Sequence, residues 1–257
     1  MRRLSKANNK RCLLASHCRL AGGESCNNQC GAWVAMHGMT GAGGRAGASN
    51  LPSGYKGVTL ANSPARAEQG RLYDVLGDYI TTFERQFNEN PERIKSWYLW
   101  SNSPGTGKTT TASALLNAWL VAHYLGSIKR GKQPMQRPAY FLDTNEWQTY
   151  YNEFNRPRVP DEVAENAATK YYANMEKAKQ APFAVLDDIG VRDCSEGFRG
   201  DLHTVINHRT VSEMPTIYTS NLPIEDMARV FDGRLYDRMR DQCGVVHFAG
   251  ESKRGRR

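Results

Sequence analysis

Several groups of residues in this 257-residue sequence have the types and spacing to do chemistry. The first is Ser101-Asn102-Ser103-Pro104-Gly105-Thr106-Gly107-Lys108-Thr109, followed by Thr110. Gly105 and Gly107 let backbone N–H groups turn toward an anion where a side chain would block its approach. Lys108 then reaches the β- and γ-phosphates of a nucleoside triphosphate, and the Thr109 hydroxyl can ligate magnesium. Pro104, Gly105, Thr106, Gly107, Lys108, Thr109 and Thr110 form the candidate nucleotide-binding set. The phosphate-loop pattern asks for a first glycine where this chain has Asn102, a residue that tolerates left-handed backbone geometry. The bland alternative is a glycine turn that happens to precede a lysine.

The second group is Phe183-Ala-Val-Leu-Asp187-Asp188, four apolar residues ending in adjacent carboxylates. A buried strand would fix both acids at the sheet rim beside the loop. Asp187 is expected to hold magnesium and Asp188 to orient an attacking water, since metal binding and water activation are separate tasks. A solvated acidic turn is the alternative. The third group is Cys12, Cys18, Cys26 and Cys30, with His37 or His17 able to replace one of them. Clustered thiols in a reducing compartment point to tetrahedral zinc, which would stabilise a segment with little apolar surface. The spacing is irregular, with no Cys-x-x-Cys pair, so an iron–sulfur cluster and free thiols stay open.

The elements that must position these groups alternate along the chain. Short apolar runs at Trp97–Trp100, Ala139–Leu142, Phe183–Leu186, Thr216–Thr219 and Val245–Phe248 read as strands. Helices are expected between them, including Lys108 to about Tyr124 and a segment from about Glu146. That alternation predicts an α/β fold, a parallel sheet covered by helices, with ligands beyond the carboxyl ends of its strands. Ser63-Pro64 opens a further helix to about Phe87, with proline at a first-turn position. The glycine-rich stretch 41–49 is expected to be too flexible for a helix or strand interior. A boundary there divides a cysteine-rich region, 1–50, from the main domain, 51–257.

The chain carries a net charge of +8, with 40% hydrophobic and 23% charged residues. This is the ordinary globular range. No apolar run approaches the ~18 residues of a membrane-spanning helix, and the N-terminus is a poor secretory signal. A soluble, cytoplasmic protein is expected. The positive balance suits polyanionic partners, though a solvated basic surface accounts for it equally well. Tyr150, Tyr151, Phe154, Arg156 and Arg158 have the composition of a single-strand-binding stretch. Trp147, Tyr151 and Phe154 also have helical spacing, so an amphipathic helix with its aromatics in the core fits at least as well.

Asn-Ser-Pro-Gly-Thr-Gly-Lys-Thr (102–109), Val-Leu-Asp-Asp-Ile-Gly (185–190) and Pro-Thr-Ile-Tyr-Thr-Ser-Asn-Leu-Pro (215–223) together resemble the DnaC/DnaI-type replicative helicase loaders, and more closely their phage-encoded relatives. The resemblance covers roughly residues 51–257, and IstB-like transposition ATPases share most of it. It implies a P-loop NTPase with an AAA+ core, little or no C-terminal lid, and ATP hydrolysis with magnesium. It assigns Asn221 as the polar first sensor of the γ-phosphate. It makes Arg238, in Gly233–Met239, the arginine finger acting on a neighbouring subunit, with Arg234 the second candidate. It places Arg254 as the second sensor, where the alternative is a basic tail. A cysteine-rich N-terminal region that binds zinc and contacts a helicase fits DnaI-like loaders in kind, though not in spacing. The expected partners are a hexameric replicative helicase, single-stranded DNA and further copies of the chain.

Three rival readings share the same loop. An IstB-like transposition ATPase would bind duplex DNA and a transposase. A small-molecule kinase would lack the Asp187-Asp188 strand end followed by a polar sensor and a finger. A non-hydrolysing adaptor is left open by Asp188, which is shorter than the more common glutamate.

Overall fold

The computed structural model describes residues 12–89, 92–190, 194–250 and 252. Contacts group the chain into two compact units, residues 1–92 with 113–140, and residues 93–112 with 141–257. No helix among the described residues is long and apolar enough to cross a membrane.

The first unit holds α1 (Gly31–His37), α2 (Gly44–Ala48) and α3 (Gly70–Thr81). The glycine-rich stretch expected to lack a helix thus contains α2. Buried Arg45 pins it, donating to the carbonyls of Ala35 at 2.7 Å, Met135 at 2.9 Å and Pro134 at 3.0 Å. Gly44 has φ 61°, and a Cβ there would come within 2.6 Å of the Met36 backbone. Glycine therefore serves close packing here rather than flexibility.

The helix expected from Pro64 to about Phe87 is three pieces: a 3-10 turn Pro64–Ala67, α3, and a 3-10 turn Thr82–Phe87. Gly70, a poor helix former, follows the first break. At the second, the Thr81 and Thr82 hydroxyls donate back to the carbonyls of Asp78 (2.6 Å) and Tyr79 (2.7 Å). Such back-bonding competes with regular helix.

Two histidines of this unit act as acceptors. His37 Nε2 accepts from the Leu13 N–H at 3.1 Å, and His123 Nε2 accepts from the Met135 N–H at 3.2 Å. An accepting ring nitrogen requires neutral imidazole. Burial holds both below the ordinary imidazole range, His37 at about 4.

The sheet, which apart from the first two residues of β2 belongs to the second unit, comprises β1 (Ser96–Trp100), β2 (Ala139–Asp143), β3 (Phe183–Asp187), β4 (Thr216–Ser220) and β5 (Cys243–His247), in the order β2-β3-β4-β1-β5. β1 pairs in parallel with β4 and β5, and β3 with β4. β3 and β4 are buried at every position, as apolar central strands of a covered parallel sheet should be, whereas β5 alternates at the edge. The remaining helices are α4 (Lys108–Lys129), whose residues from Ser113 onward belong to the first unit, and, in the second, α5 (Thr144–Phe154), α6 (Asp161–Gln180), α7 (Glu196–Val211), α8 (Met227–Val230) and α9 (Gly233–Gln242).

Arg209 on α7 is fully buried. It donates to Thr216 Oγ1 (2.8 Å) and to the carbonyls of Ala178 (2.7 Å), Ala181 (2.8 Å), Pro215 (3.0 Å) and Lys179 (3.3 Å). Burial lowers its pKa to about 10, still charged at neutral pH. One guanidinium thereby ties the end of α6 to the entries of β3 and β4.

The buried histidines set an acid limit. An unfolded chain protonates imidazole below about 6.5 while folded His37 resists to about 4. Stability to guanidinium is therefore expected to hold above pH 7 and to fall between pH 6.5 and 4, with His37 accounting for roughly 3 kcal/mol. His37→Gln keeps an acceptor without a titration, so its stability curve should be flatter over that interval.

Candidate functional site

Loop 101–107 leaves β1 and enters α4, so the α4 N-terminus points its unpaired N–H groups at the loop's concavity. Gly105 and Gly107 have φ 77° and 102°, the left-handed region that opens the backbone to an anion. Asn102 is not among the residues with positive φ. The missing first glycine therefore costs no backbone freedom at that position, and Asn102 need not supply left-handed geometry. Lys108 is buried and its Nζ donates to the Ser103 carbonyl at 3.0 Å, arching back across the loop. The Thr106 hydroxyl is buried with no hydrogen-bond partner. A buried hydroxyl without a partner is costly, and a phosphate oxygen in the loop would relieve it.

The Thr109 hydroxyl, on the first turn of α4, donates to Asp187 Oδ2 at 3.2 Å. Asp187 Oδ1 accepts from Thr219 Oγ1 at 2.6 Å. Burial pushes the Asp187 pKa up to about 7, while the bonds from Thr219 and Thr109 oppose the rise and Asp188 adds like charge. A carboxylate so desolvated gains from a cation. Thr109 and Asp187 are hard oxygen donors of the kind magnesium takes, so these residues fit that ion.

Asp188 adopts φ 65°, which turns its side chain away from the strand direction. Its N–H donates to Thr219 Oγ1 at 2.8 Å, so one hydroxyl of β4 engages both acids. Asp188 Oδ2 accepts from Asn145 Nδ2 at 2.7 Å. Thr144 Oγ1 donates to the carbonyls of Asp187 (2.8 Å) and Asp188 (3.0 Å). Asp143 caps α5, accepting from Asn145 N at 2.9 Å and Glu146 N at 3.1 Å. Thr144, Asn145 and Thr219 are site residues that sequence reasoning passed over. The capping pattern Asp143-Thr-Asn-Glu146 after a strand was the available signal for the first two.

Asn221 follows Ser220 at the carboxyl end of β4. Ser220 Oγ donates to the Ile189 carbonyl (2.7 Å) and accepts from Leu222 N (3.0 Å), and Tyr98 Oη donates to the Leu222 carbonyl (2.9 Å). The turn bearing Asn221 is thus fixed, although no hydrogen bond joins Asn221 to the acids among the described residues. Arg238 lies on α9 and bonds to Asn207 of α7. Arg254 lies outside the described residues.

Cys12, Cys18, Cys26 and Cys30 line one cavity of about 20 Å³ with Leu14 and Trp33. Burial raises the Cys12 thiol. Among the described residues, no three His, Cys, Asp or Glu side chains already stand in metal-holding geometry. His37 does not line this cavity; its Nε2 is taken by Leu13 N–H and its ring packs against Trp33, tilted by 30° with centroids 4.4 Å apart. The aromatic stretch of α5 turns inward. Trp147 is buried, and Tyr151 and Phe154 pack on Tyr171 at 5.5 and 5.3 Å. Of the two readings of that stretch, the core-facing helix is the one observed for these three residues.

Thr109, Asp187, Asp188 and Thr219 converge beside the phosphate loop, a set of hard oxygen donors that fits a divalent cation, with a second acid alongside. Thr219→Val keeps the shape and removes the shared hydroxyl. Magnesium-dependent nucleotide affinity is expected to fall about tenfold, read by titration calorimetry, and the melting temperature to fall as well, because the buried Asp187 carboxylate and Asp188 N–H lose their shared partner.

The family described as IstB-like ATP binding protein matches residues 161–257. The replicative helicase loader DnaC of Escherichia coli (strain K12) is 24% identical over 156 residues, 61% of this chain and 55% of that protein. DnaC of Shigella flexneri matches to the same extent. The chain thus spans about half the length of the curated relatives it matches. Among solved structures, the DnaC helicase loader superposes with a TM-score of 0.54 at 20% identity, over 77% of this chain and all of that one. DnaI gives 0.53 at 19% identity, over 80% of this chain and 99% of that one. The chain thus has the α/β fold of these loaders, with a phosphate loop and paired acids at the strand ends, and its sequence is similar to DnaC over part of its length.

Proposed function

We propose that the chain is an ATP-dependent loader that places a replicative DNA helicase on single-stranded DNA. The observation that carries this reading is the hydrogen bond from Thr109 to buried Asp187, which ties the phosphate loop to the acidic strand end. Its companion is sequence similarity to proteins named as helicase loaders.

In this reading the loop amides and Lys108 bind the triphosphate, with Pro104, Gly105, Thr106, Gly107 and Thr110 shaping the cradle. Bound magnesium would be held by Thr109 and Asp187 and would neutralise phosphate charge. Asp188, restrained by Asn145, orients the attacking water, and Asn221 reaches the γ-phosphate from the β4 turn. Arg238 acts on the nucleotide of a second copy, and Arg254 on its own. Turnover then depends on assembly, and hydrolysis releases the helicase. Residues 1–50 form the helicase-contacting region, with residues 51–257 the ATPase.

Lys108→Ala should lower ATP turnover at least about a hundredfold, measured with helicase and single-stranded DNA present. Undiminished turnover would falsify the catalytic assignment.

Zinc on Cys12, Cys18, Cys26 and Cys30 belongs to the same reading. It is supported by the convergence of four soft donors on one small cavity. Thiolate ligation would draw them closer than the unligated thiols stand. Elemental analysis should give one zinc per chain, lost when all four are changed to serine along with stability of the first unit. A metal-free protein of unchanged stability contradicts this part alone.

The family match over 161–257 favours a second reading, an ATPase assisting transposition. Pull-down with a hexameric helicase and with a transposase, each in ATP, separates the two.

A further inference from the structure

Helices α7 and α9 face each other across an open cavity of about 410 Å³ lined by His203, Asn207, Asp232, Arg234, Leu235 and Arg238. Each helix contributes two residues four apart, which share one helical face. These are His203 and Asn207 from α7, and Arg234 and Arg238 from α9. Two guanidiniums of α9 thus oppose an imidazole and an amide of α7.

Among the described residues lining the cavity, the one acid is committed elsewhere. Asp232 Oδ1 accepts from Leu235 N at 2.8 Å, capping α9, and Asp232 Oδ2 bonds with His203 Nε2 at 2.9 Å. Arg238 is held instead by the amide oxygen of Asn207, through Nη1. A guanidinium has five N–H donors, so one neutral acceptor orients it and leaves the others for an anion. A carboxylate at the same place would form a charge-assisted pair, cancel the charge and compete with any incoming phosphate.

We propose that Asn207 is a positioning residue for Arg238. It aims the guanidinium into the α7–α9 cavity without neutralising it, so that the cavity receives the phosphate end of a nucleotide held by a second copy of this chain. The Asp232–His203 pair serves the same end by keeping the one acid among the described residues lining the cavity off the arginines. This inference rests on the reading of Arg238 as acting between copies.

Asn207→Asp separates this role from a plain helix–helix contact. A contact that merely fastens α9 to α7 becomes an ion pair in this variant and keeps both stability and turnover. A positioning role predicts the opposite pairing: melting temperature equal or raised, and turnover lowered about tenfold. Turnover is measured as a function of protein concentration, so that association between copies is read directly. Nucleotide affinity of the dilute protein, measured with a fluorescent ATP analogue, should be unchanged. Asn207→Gln, which retains a neutral acceptor, should recover most of the loss.

Wild-type turnover at Asn207→Asp, or equal loss in Asn207→Gln and Asn207→Asp, overturns the inference. Should Asn207→Asp fail to fold, Asn207→Ser against Asn207→Leu makes the same comparison, with loss expected only in the leucine variant. Arg238→Ala distinguishes the two levels. If its turnover matches wild type at every concentration, the action between copies fails and the positioning role with it. If Arg238→Ala is inactive while Asn207→Asp is not, the positioning role alone fails.

Discussion

A carboxylate buried at the end of a strand is unstable unless something shares its charge, and the structure is arranged around that constraint. Asp187 lies where β3 ends, almost without solvent, accepting from Thr219 on one oxygen and Thr109 on the other. Burial raises its pKa toward neutrality despite both bonds. The local field therefore favours a cation there, and the nearest arriving negative charge would be phosphate in the adjacent loop. The phosphate loop, the strand end and the following acid are mechanically one object because Thr109 and Thr219 bridge them.

The opposite ends of the strands are fixed just as firmly. Arg209 gathers the carbonyls before β3 and β4, and Ser96 Oγ accepts from Thr216 N at 3.0 Å at the start of β1 and β4. With the entries anchored and the strands in parallel register, the carboxyl ends of β1, β3 and β4 emerge together. Phosphate loop, Asp187 and Thr219 stand on these three ends. A site on strand ends inherits the rigidity of the sheet, which suits an electrostatic centre that must be in place before its ligand arrives.

Much of this was legible in the residues. The runs read as strands at Trp97–Trp100, Phe183–Leu186 and Thr216–Thr219 matched the observed strands to within a residue, because fully buried parallel strands are rich in apolar residues. The glycines before Lys108 and the acids after Leu186 named the chemistry directly. What stayed hidden depended on partners distant in sequence. Nothing in Asn145 or Thr219 alone announces a bond to an acid more than thirty residues away. Gly44 looked like flexible linker because the backbone of Met36, against which it packs, cannot be inferred from the neighbouring glycines. His37 looked like a metal ligand because its commitment to the Leu13 N–H is a tertiary fact. The left-handed turn at Asp188 was likewise invisible, since aspartate carries no obligation to adopt it.

The account requires that nucleotide binding and magnesium binding be one event, joined at Asp187 and Thr109. Calorimetric titration of ATP into the purified chain, with magnesium and then with excess chelator, tests this most directly. One nucleotide per chain with magnesium, and affinity at least about tenfold weaker without it, is the expected result. Failure to bind ATP, or binding of equal strength in chelator, would contradict it.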